Sequence, residues 1–367
     1  MKKNLCVSYI FFAFTVICSV FSLAFPYEVA YYCSNALKMC GTSLIPSLFT
    51  FMVLSKILSH LSAQGTFNSS LSRFLARLLN LPDCLIPICL LGLIGGAPSG
   101  AFAIGGLYKK GLCTKSQAEK ACVLANNCSA AFILGVISAV LGSKTIAVYI
   151  LITNIISTVT VYFIFFRRSG THQIEKQSTA KKEKLSHIIT ESITSSAESI
   201  IKLCGFVIFF YTFSCIISQR TTILLLEIGV SGELTDLIKS VICSLLELTS
   251  GVLSIGNISV QNAMLLCSMC VSFTGLSIIF QVKSVLDNHT LSAAPFIQSR
   301  FLCAVLSPVL IQISHYLSSA STTVSTLTET KKASGITGKD LLVLISVTII
   351  AFIGAYILNH LDKKHKK

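Results

Sequence analysis

The stretch LGLIGGAPSGAFAIGGLYKKG, Leu91–Gly111, decides how the chain is read. Apart from its basic end it is apolar enough to lie in a membrane. Yet it holds Gly92, Gly95, Gly96, Gly100, Gly105 and Gly106 around Pro98, residues that weaken or end a helix. Within hydrocarbon, a freed backbone N–H or C=O is costly unless protein or trapped water satisfies it. A break at that depth is expected only where the backbone lines a cavity. Gly96, Pro98 and Gly100 predict such a turn between two half-helices, with the Ser99 hydroxyl beside it. A half-helix N-terminus offers free N–H groups and the positive end of a dipole, which suits a carboxylate or phosphate. Gly92, Gly96 and Gly100 also fit a close-packing face of small residues, so the turn needs independent support.

That support comes from composition and charge. The 367 residues are 53% hydrophobic and only 12% charged, with mean hydropathy +0.77. A soluble domain carries about a quarter charged residues; this chain reads as a polytopic α-helical membrane protein. Its net charge of +14 sits in short loops between apolar runs, the positive-inside pattern, so nucleic acid is not an expected partner. Lys2, Lys3, Arg73, Arg77, Lys109, Lys110, Lys115, Lys120 and the basic segment Arg167–Lys184 are all expected in the cytoplasm. Cys84–Leu107 must then enter from that side and return to it. Charge counting makes the opening stretch re-entrant without reference to its glycines.

Spanning helices are predicted at Leu5–Phe25, Leu44–Leu61, Ala121–Leu141, Ile146–Phe166, Leu203–Ile217, Phe301–Tyr316 and Leu341–Leu358. Leu5–Phe25 is too long for a signal-peptide core and reads as an uncleaved first span. Cys84–Leu107, Leu237–Ile255 and Ala263–Leu286 are apolar but irregular. SLSRFLARLLNL, with Arg73 and Arg77, reads as an interfacial helix. The chain divides into an N-terminal helix and interfacial segment (1–41), a first repeat (42–166), a basic linker (167–196), a second repeat (197–317) and a C-terminal loop, span and basic tail (318–367). The fifteen cysteines lie mostly inside apolar runs and read as small packing residues. No metal, cofactor or catalytic group is expected, because no H-E-x-x-H, G-x-S-x-G or phosphate-loop pattern occurs.

The two halves are faintly alike. LIPSLFTFMVLSKIL, LLNL and the break GGAPSG precede the linker; LCGFVIFFYTFSCII, LLEL and the break SFTGLS follow it. Interrupted apolar segments at matching places point to a transport site. Asn126 and Asn127, followed by Ser129, are paired amides inside a span, which need a ligand or another helix. Gly275, Ser277 and Gln281 lie at the second break, and Arg300 opens the next apolar run. Glu247, in LLELTSG, is the acid best placed to couple to an ion or proton. Lys56 and His60, near a span end, read as snorkelling side chains.

SLIPSLFTFMVLSKIL, GLIGGAPSGAFAIGGLYKKGLCTKSQAEKACVLANNCSAAFILGVI and the LLELTSG, SFTGLSIIFQVKSVL and FIQSRFLCAVL segments resemble YlbJ-type sporulation integral membrane proteins, which carry a Gate or nucleoside-recognition domain. The resemblance implies an all-α, nucleoside-transporter-like membrane protein with two inverted repeats of re-entrant or broken helices. It also implies a place in the outer forespore membrane, a part in spore-cortex formation, and transport of a small anionic metabolite, dipicolinate. Gly96, Pro98, Ser99, Gly100, Asn126, Asn127, Ser129, Gly275, Ser277, Gln281 and Arg300 would bind it. The expected partners are the lipid bilayer, a small anionic or polar solute, a coupling ion and a second copy of the chain in a homo-oligomer. A non-transporting scaffold for sporulation proteins is the alternative. Where the family tends to have Asn-Asn-Ser-Gly-Pro, this chain has Asn127, Cys128, Ser129, Ala130 and Ala131. Loss of Gly-Pro predicts a helix running more smoothly past the asparagines.

Overall fold

The computed structural model describes residues 9, 12, 15, 16, 18–64, 69–167, 184–255 and 258–322. Part of Leu5–Phe25, the interior of the basic linker and the last span, Leu341–Leu358, lie outside the described residues. Among the described residues every regular element is helical: α1 Pro26–Met39, α2 Ile45–Ala63, α3 Ser70–Leu79, α4 Ile86–Gly95, α5 Ser99–Lys109, α6 Lys115–Ala125, α7 Ala130–Phe132, α8 Ser138–Leu141, α9 Lys144–Val161, α10 Leu185–Glu227, α11 Gly232–Leu246, α12 Leu248–Leu253, α13 Val260–Phe273, α14 Gly275–Asp287 and α15 Ala294–Thr322. Wider π-helical turns at Cys40–Leu44, Ile133–Ile137 and Tyr162–Phe166 join or extend them. Five helical stretches are long and apolar enough to cross a membrane, or up to seven if bent pairs count as spans. The chain is thus an all-α polytopic membrane protein.

Local signals set several boundaries. Thr114 and Gln117 form a reciprocal capping box: Gln117 N–H donates to Thr114 Oγ1 (3.3 Å) and Thr114 N–H to Gln117 Oε1 (2.8 Å), which satisfies two orphan donors at the start of α6. Ser69 caps α3 in the same sense, accepting from Ser72 N (3.1 Å), and Asn80 ends that helix in a left-handed conformation. At the next break the chain turns by 99° from Ser70–Leu79 into Asp83–Gly95. Leu71 and Phe74 of α3 are exposed, so the helix lies across the bundle with an apolar face to lipid, as an interfacial helix does. The Tyr162 hydroxyl and the Arg167 Nε–H donate to the C-terminal carbonyls Leu79 O (2.6 Å) and Leu78 O (2.8 Å).

The opening stretch is re-entrant. α4 runs in, the chain turns at Gly96–Pro98, and α5 runs back, so that the Cys84 thiol donates to Leu112 O (3.5 Å). Its inner faces are tight: a Cβ on Gly92 would lie 2.2 Å, and one on Gly100 1.9 Å, from Ala125 O of α6. In the second half the hairpin is α11–α12, turned at Glu247. There the Ser240 hydroxyl donates to Ser254 O (3.0 Å), and a Cβ on Gly251 would fall 2.5 Å from Ser244 Cα.

This corrects the pairing read from sequence. The counterpart of GGAPSG is LLELTSG, Leu245–Gly251, not SFTGLS. Ala263–Leu286 is no hairpin; α13 and α14 continue one direction as the span Val260–Asp287, broken where Thr274 (φ 70°) and Gly275 (φ 76°) turn left-handed. Its counterpart is Lys115–Leu141, broken at 126–129. Each half is therefore a hairpin, a broken span and a long helix: α4–α5, α6–α8, α9, then α11–α12, α13–α14, α15. Three spanning stretches, Lys115–Leu141, Lys144–Phe166 and Leu185–Glu227, separate the two hairpins. An odd number of crossings brings them in from opposite faces. The boundary drawn at 196/197 falls inside α10.

One apolar core fills the hairpins and broken spans; a smaller one, with Cys40, Met52, Ile200, Leu203 and Val207, joins α2 to α10. Substituting Gly100→Ala, which forces Cβ onto Ala125 O, should cost at least the ~1–3 kcal/mol of an overpacked core and lower the detergent melting temperature. Gly106→Ala, where the nearest atom is Ser59 Oγ at 3.7 Å, should melt near the wild type.

Candidate functional site

The first broken span shows what its odd residues do. In a continuous helix the N–H groups of residues 126, 127 and 128 would bond the carbonyls of 122, 123 and 124. The break frees those carbonyls where lipid offers no partner, so each must be paired within the protein. Asn126 Nδ2 donates to Cys122 O (3.0 Å), Arg300 Nη2 to Val123 O (3.1 Å) and Asn127 Nδ2 to Leu124 O (2.8 Å). Arg300 Nη1 also donates to Asn127 Oδ1 (2.9 Å), which accepts the Thr158 hydroxyl as well (2.7 Å). The guanidinium, 0% exposed, thus caps the negative end of a half-helix.

The same asparagines stitch the break to the hairpin tip. Ala97 N–H donates to Asn127 O (2.8 Å), Asn127 N–H to Gly92 O (3.4 Å) and Ala101 N–H to Asn126 Oδ1 (2.9 Å). Beyond the break, Ser129 caps the returning half by accepting from Phe132 N (3.2 Å). These bonds explain why the helix stops at 126–129 although Gly-Pro is missing, contrary to the smoother passage predicted. The capping side chains, not a proline, end it.

The second break is built alike. Gly275 packs against the tip of the second hairpin, where a Cβ would lie 3.2 Å from Leu248 N and from Ser244 O. The long helix of the first half reaches it: Asn154 of α9 accepts the Ser272 hydroxyl (3.2 Å). Arg300 of α15 reaches the first break in the same way. Each half's last helix supports the other half's interruption.

Where the interruptions converge lies a cavity of about 170 Å³. Its polar wall is Gly96 and Ala97 from one hairpin tip, Glu247 and Thr249 from the other, Asn127, Cys128 and Ser129 from the first break, Gln281 from α14, and Ser43. Leu48, Phe132, Leu203, Val207 and Ile278 supply apolar sides. Such a lining, mostly apolar with a few convergent polar groups, is that of a small-molecule site. Glu247 is its sole charged side chain among the described residues. Its Oε2 accepts from Ser250 N–H (2.7 Å), so at the second tip the half-helix N-terminus is already covered by a carboxylate. At the first break the corresponding cap is a neutral hydroxyl, Ser129 Oγ, which accepts from Phe132 N–H (3.2 Å).

Of the residues singled out from sequence, Gly96, Asn127, Ser129, Gln281 and Glu247 line the cavity. Pro98, Ser99, Gly100, Asn126, Gly275, Ser277 and Arg300 do not; they build its frame. The Ser99 hydroxyl donates back to Gly96 O (2.6 Å), and Ser277 Oγ accepts from Gln281 Nε2 (3.2 Å). Ser43, Leu48, Leu203 and Val207 were missed because nothing in their local pattern distinguishes them from ordinary span residues. The π-helical turns Cys40–Leu44 and Ile133–Ile137 both lie on the wall; such turns gather at functional sites, but they leave little trace in sequence. Lys56 is also placed differently: its Nζ donates to Ser195 Oγ (3.0 Å) and Ser199 Oγ (3.1 Å) on α10, inward and not toward the lipid surface. The fourteen described cysteines form no disulfide, and ten of them are buried.

Paired hairpins, broken spans and a cavity between them define a multi-pass membrane protein with a small central cavity. Over 308 residues the chain is 21% identical to the sporulation integral membrane protein YlbJ of Bacillus subtilis (strain 168), a match covering 76% of each chain. The chain is thus a homologue of a YlbJ-type protein, as its motifs imply. No family model and no solved structure matches it, so the Gate-domain likeness rests on the quoted motifs.

Arg300→Met leaves Val123 O unpaired and removes one donor from Asn127. With hydrogen bonds to charged groups contributing about 1.5–3 kcal/mol each, the variant should lose several degrees of thermal stability in detergent, and Arg300→Lys should recover part of it. Melting unchanged in Arg300→Met would sink the capping account.

Proposed function

We propose that the protein is a secondary transporter of a small solute in sporulation, with the cavity as its binding site. One observation carries the reading: both hairpin tips and the first broken span end on the same cavity, and Glu247 sits on its wall. Interrupted helices entering from opposite faces give a midplane site two routes of access, one per hairpin. A scaffold needs no such space, and its interior would be filled with side chains.

The chemistry selects a solute with a compact apolar body and polar ends. The Ser43 and Thr249 hydroxyls and the Gln281 amide on the wall can donate to a carboxylate, whereas Glu247 repels one unless it carries a proton. Dipicolinate, implied by the family resemblance, fits these terms if it moves together with a proton on Glu247. Arg300 takes no direct part, because Asn127 stands between it and the cavity. The protein is read as a carrier and not an enzyme.

Proteoliposomes holding the purified full-length chain test the proposal. Labelled dipicolinate should accumulate in response to an inward proton gradient. Glu247→Gln should abolish the response to the gradient, and Gln281→Leu should raise the apparent KM several-fold with little change in melting temperature. If neither dipicolinate nor other small mono- and dicarboxylates enter above protein-free controls, the reading is wrong.

A further inference from the structure

A second polar feature lies outside the cavity, along the seam where α2 meets α10. Ser55, Ser59 and Ser62 are buried on α2; Ser192, Ser196 and Ser199 are buried on α10. Ser55 and Ser59 donate to Ser99 O (3.5 Å) and Ala103 O (3.0 Å) of the first hairpin, which forms the seam's floor. Small residues let helices pack closely, but alanine or glycine would do that without cost. The hydroxyls of Ser62, Ser192 and Ser196 are instead buried without a partner. Ser192 and Ser196 do not bond the carbonyl one turn back, as Ser199 does (2.7 Å to Ser195 O). Buried hydroxyls of this kind are satisfied by water or by a ligand.

Lys56 lies in the same seam. Besides Ser195 and Ser199, its ammonium faces the Phe102 ring, 4.9 Å from the centroid. All three contacts are neutral; Glu198 and Glu191 act on the ammonium electrostatically, but neither carboxylate bonds it. Glu191, at the outer end of the seam, is occupied with His60 (3.8 Å) and His187 (3.6 Å). A cation inside a bundle without a bonded anion is unfavourable, and an arriving carboxylate would supply the direct ion pair that Glu191 and Glu198 do not make.

The seam also leads somewhere. Its inner end is Leu48 on α2 and Leu203 on α10, both on the cavity wall. From Leu203 to Glu191 the helix rises about 18 Å, roughly half of a ~30 Å hydrocarbon core. The outer end lies beside Lys110, which bonds His60 (3.1 Å), on the side that charge counting makes cytoplasmic.

We propose that the α2–α10 seam is a hydrated cytoplasmic entry path to the cavity, and that Lys56 within it is a subsite for the solute's carboxylate. Lys56 draws the anion in from the cytoplasm, and Ser192 and Ser196 supply O–H donors on the way to Ser129. The proposal rests on the transport reading and adds to it a route and a charge preference.

The test uses Ser196→Cys, with Ser192→Cys as a second variant, in the full-length reconstituted protein. A membrane-impermeant maleimide is added from the cytoplasmic face, and labelling is quantified site by site by mass spectrometry. Native Cys122, 0% exposed, is the internal reference. The introduced thiols should react at least an order of magnitude faster than Cys122. Millimolar dipicolinate should slow them several-fold, and choline should not. Lys56→Gln should remove that protection, and Lys56→Arg should keep it. Thiols as inert as Cys122, or protection indifferent to Lys56→Gln, would overturn the proposal. Uptake separates the two readings: protection without flux refutes transport alone, and flux with inert thiols refutes the path alone.

Discussion

The structure depends on keeping every backbone N–H and C=O paired while the chain is interrupted in the middle of a bilayer. Water cannot repair a broken helix at that depth, so each freed group must find a protein partner. At the first break the repair is done by two amides and one guanidinium, which between them take three carbonyls in succession. At each hairpin tip it is done by close approach, with glycines admitting backbone to backbone. The polar residues that stand out in an apolar sequence are therefore mostly structural.

That requirement shapes the cavity. Because the interruptions support one another, they have to meet, and the place where they meet cannot be filled by regular helix. Arg300 and Asn154 tie each half's long helix to the other half's break, so neither half is complete alone. What remains at the centre is a small space whose wall carries backbone groups, a few hydroxyls and amides, and one carboxylate. A single acidic group on an otherwise neutral, largely apolar wall is an arrangement in which charge and proton occupancy are linked.

Much of this was legible from residue order. The hydropathy of the runs, the glycines around Pro98 and the placement of lysines led to a re-entrant stretch at Cys84–Leu107, and the structure has one there. The sequence marks Asn126–Asn127 as costly in an apolar setting and Glu247 as the acid best placed to couple to an ion or proton, and all three sit at interruptions. The matching of the halves was not legible. SFTGLS resembles GGAPSG in composition, but a break in a span and a turn in a hairpin both need left-handed or extended backbone, so both attract the same small residues. Only packing separates them: Ser240 meets Ser254 across a hairpin, whereas α13 and α14 do not fold back on each other but run on as one span.

The sequence by itself determined that this chain lives in a membrane and that it turns back on itself at Cys84–Leu107. Those properties follow from local transfer energies and backbone preferences. Tertiary structure alone decided that Arg300 serves a freed carbonyl, that Lys56 turns inward, and that Gly96, Ser129, Glu247 and Gln281 share one wall. The reason is that a buried polar group is defined by its partner, and here the partners lie as many as 177 positions away along the chain.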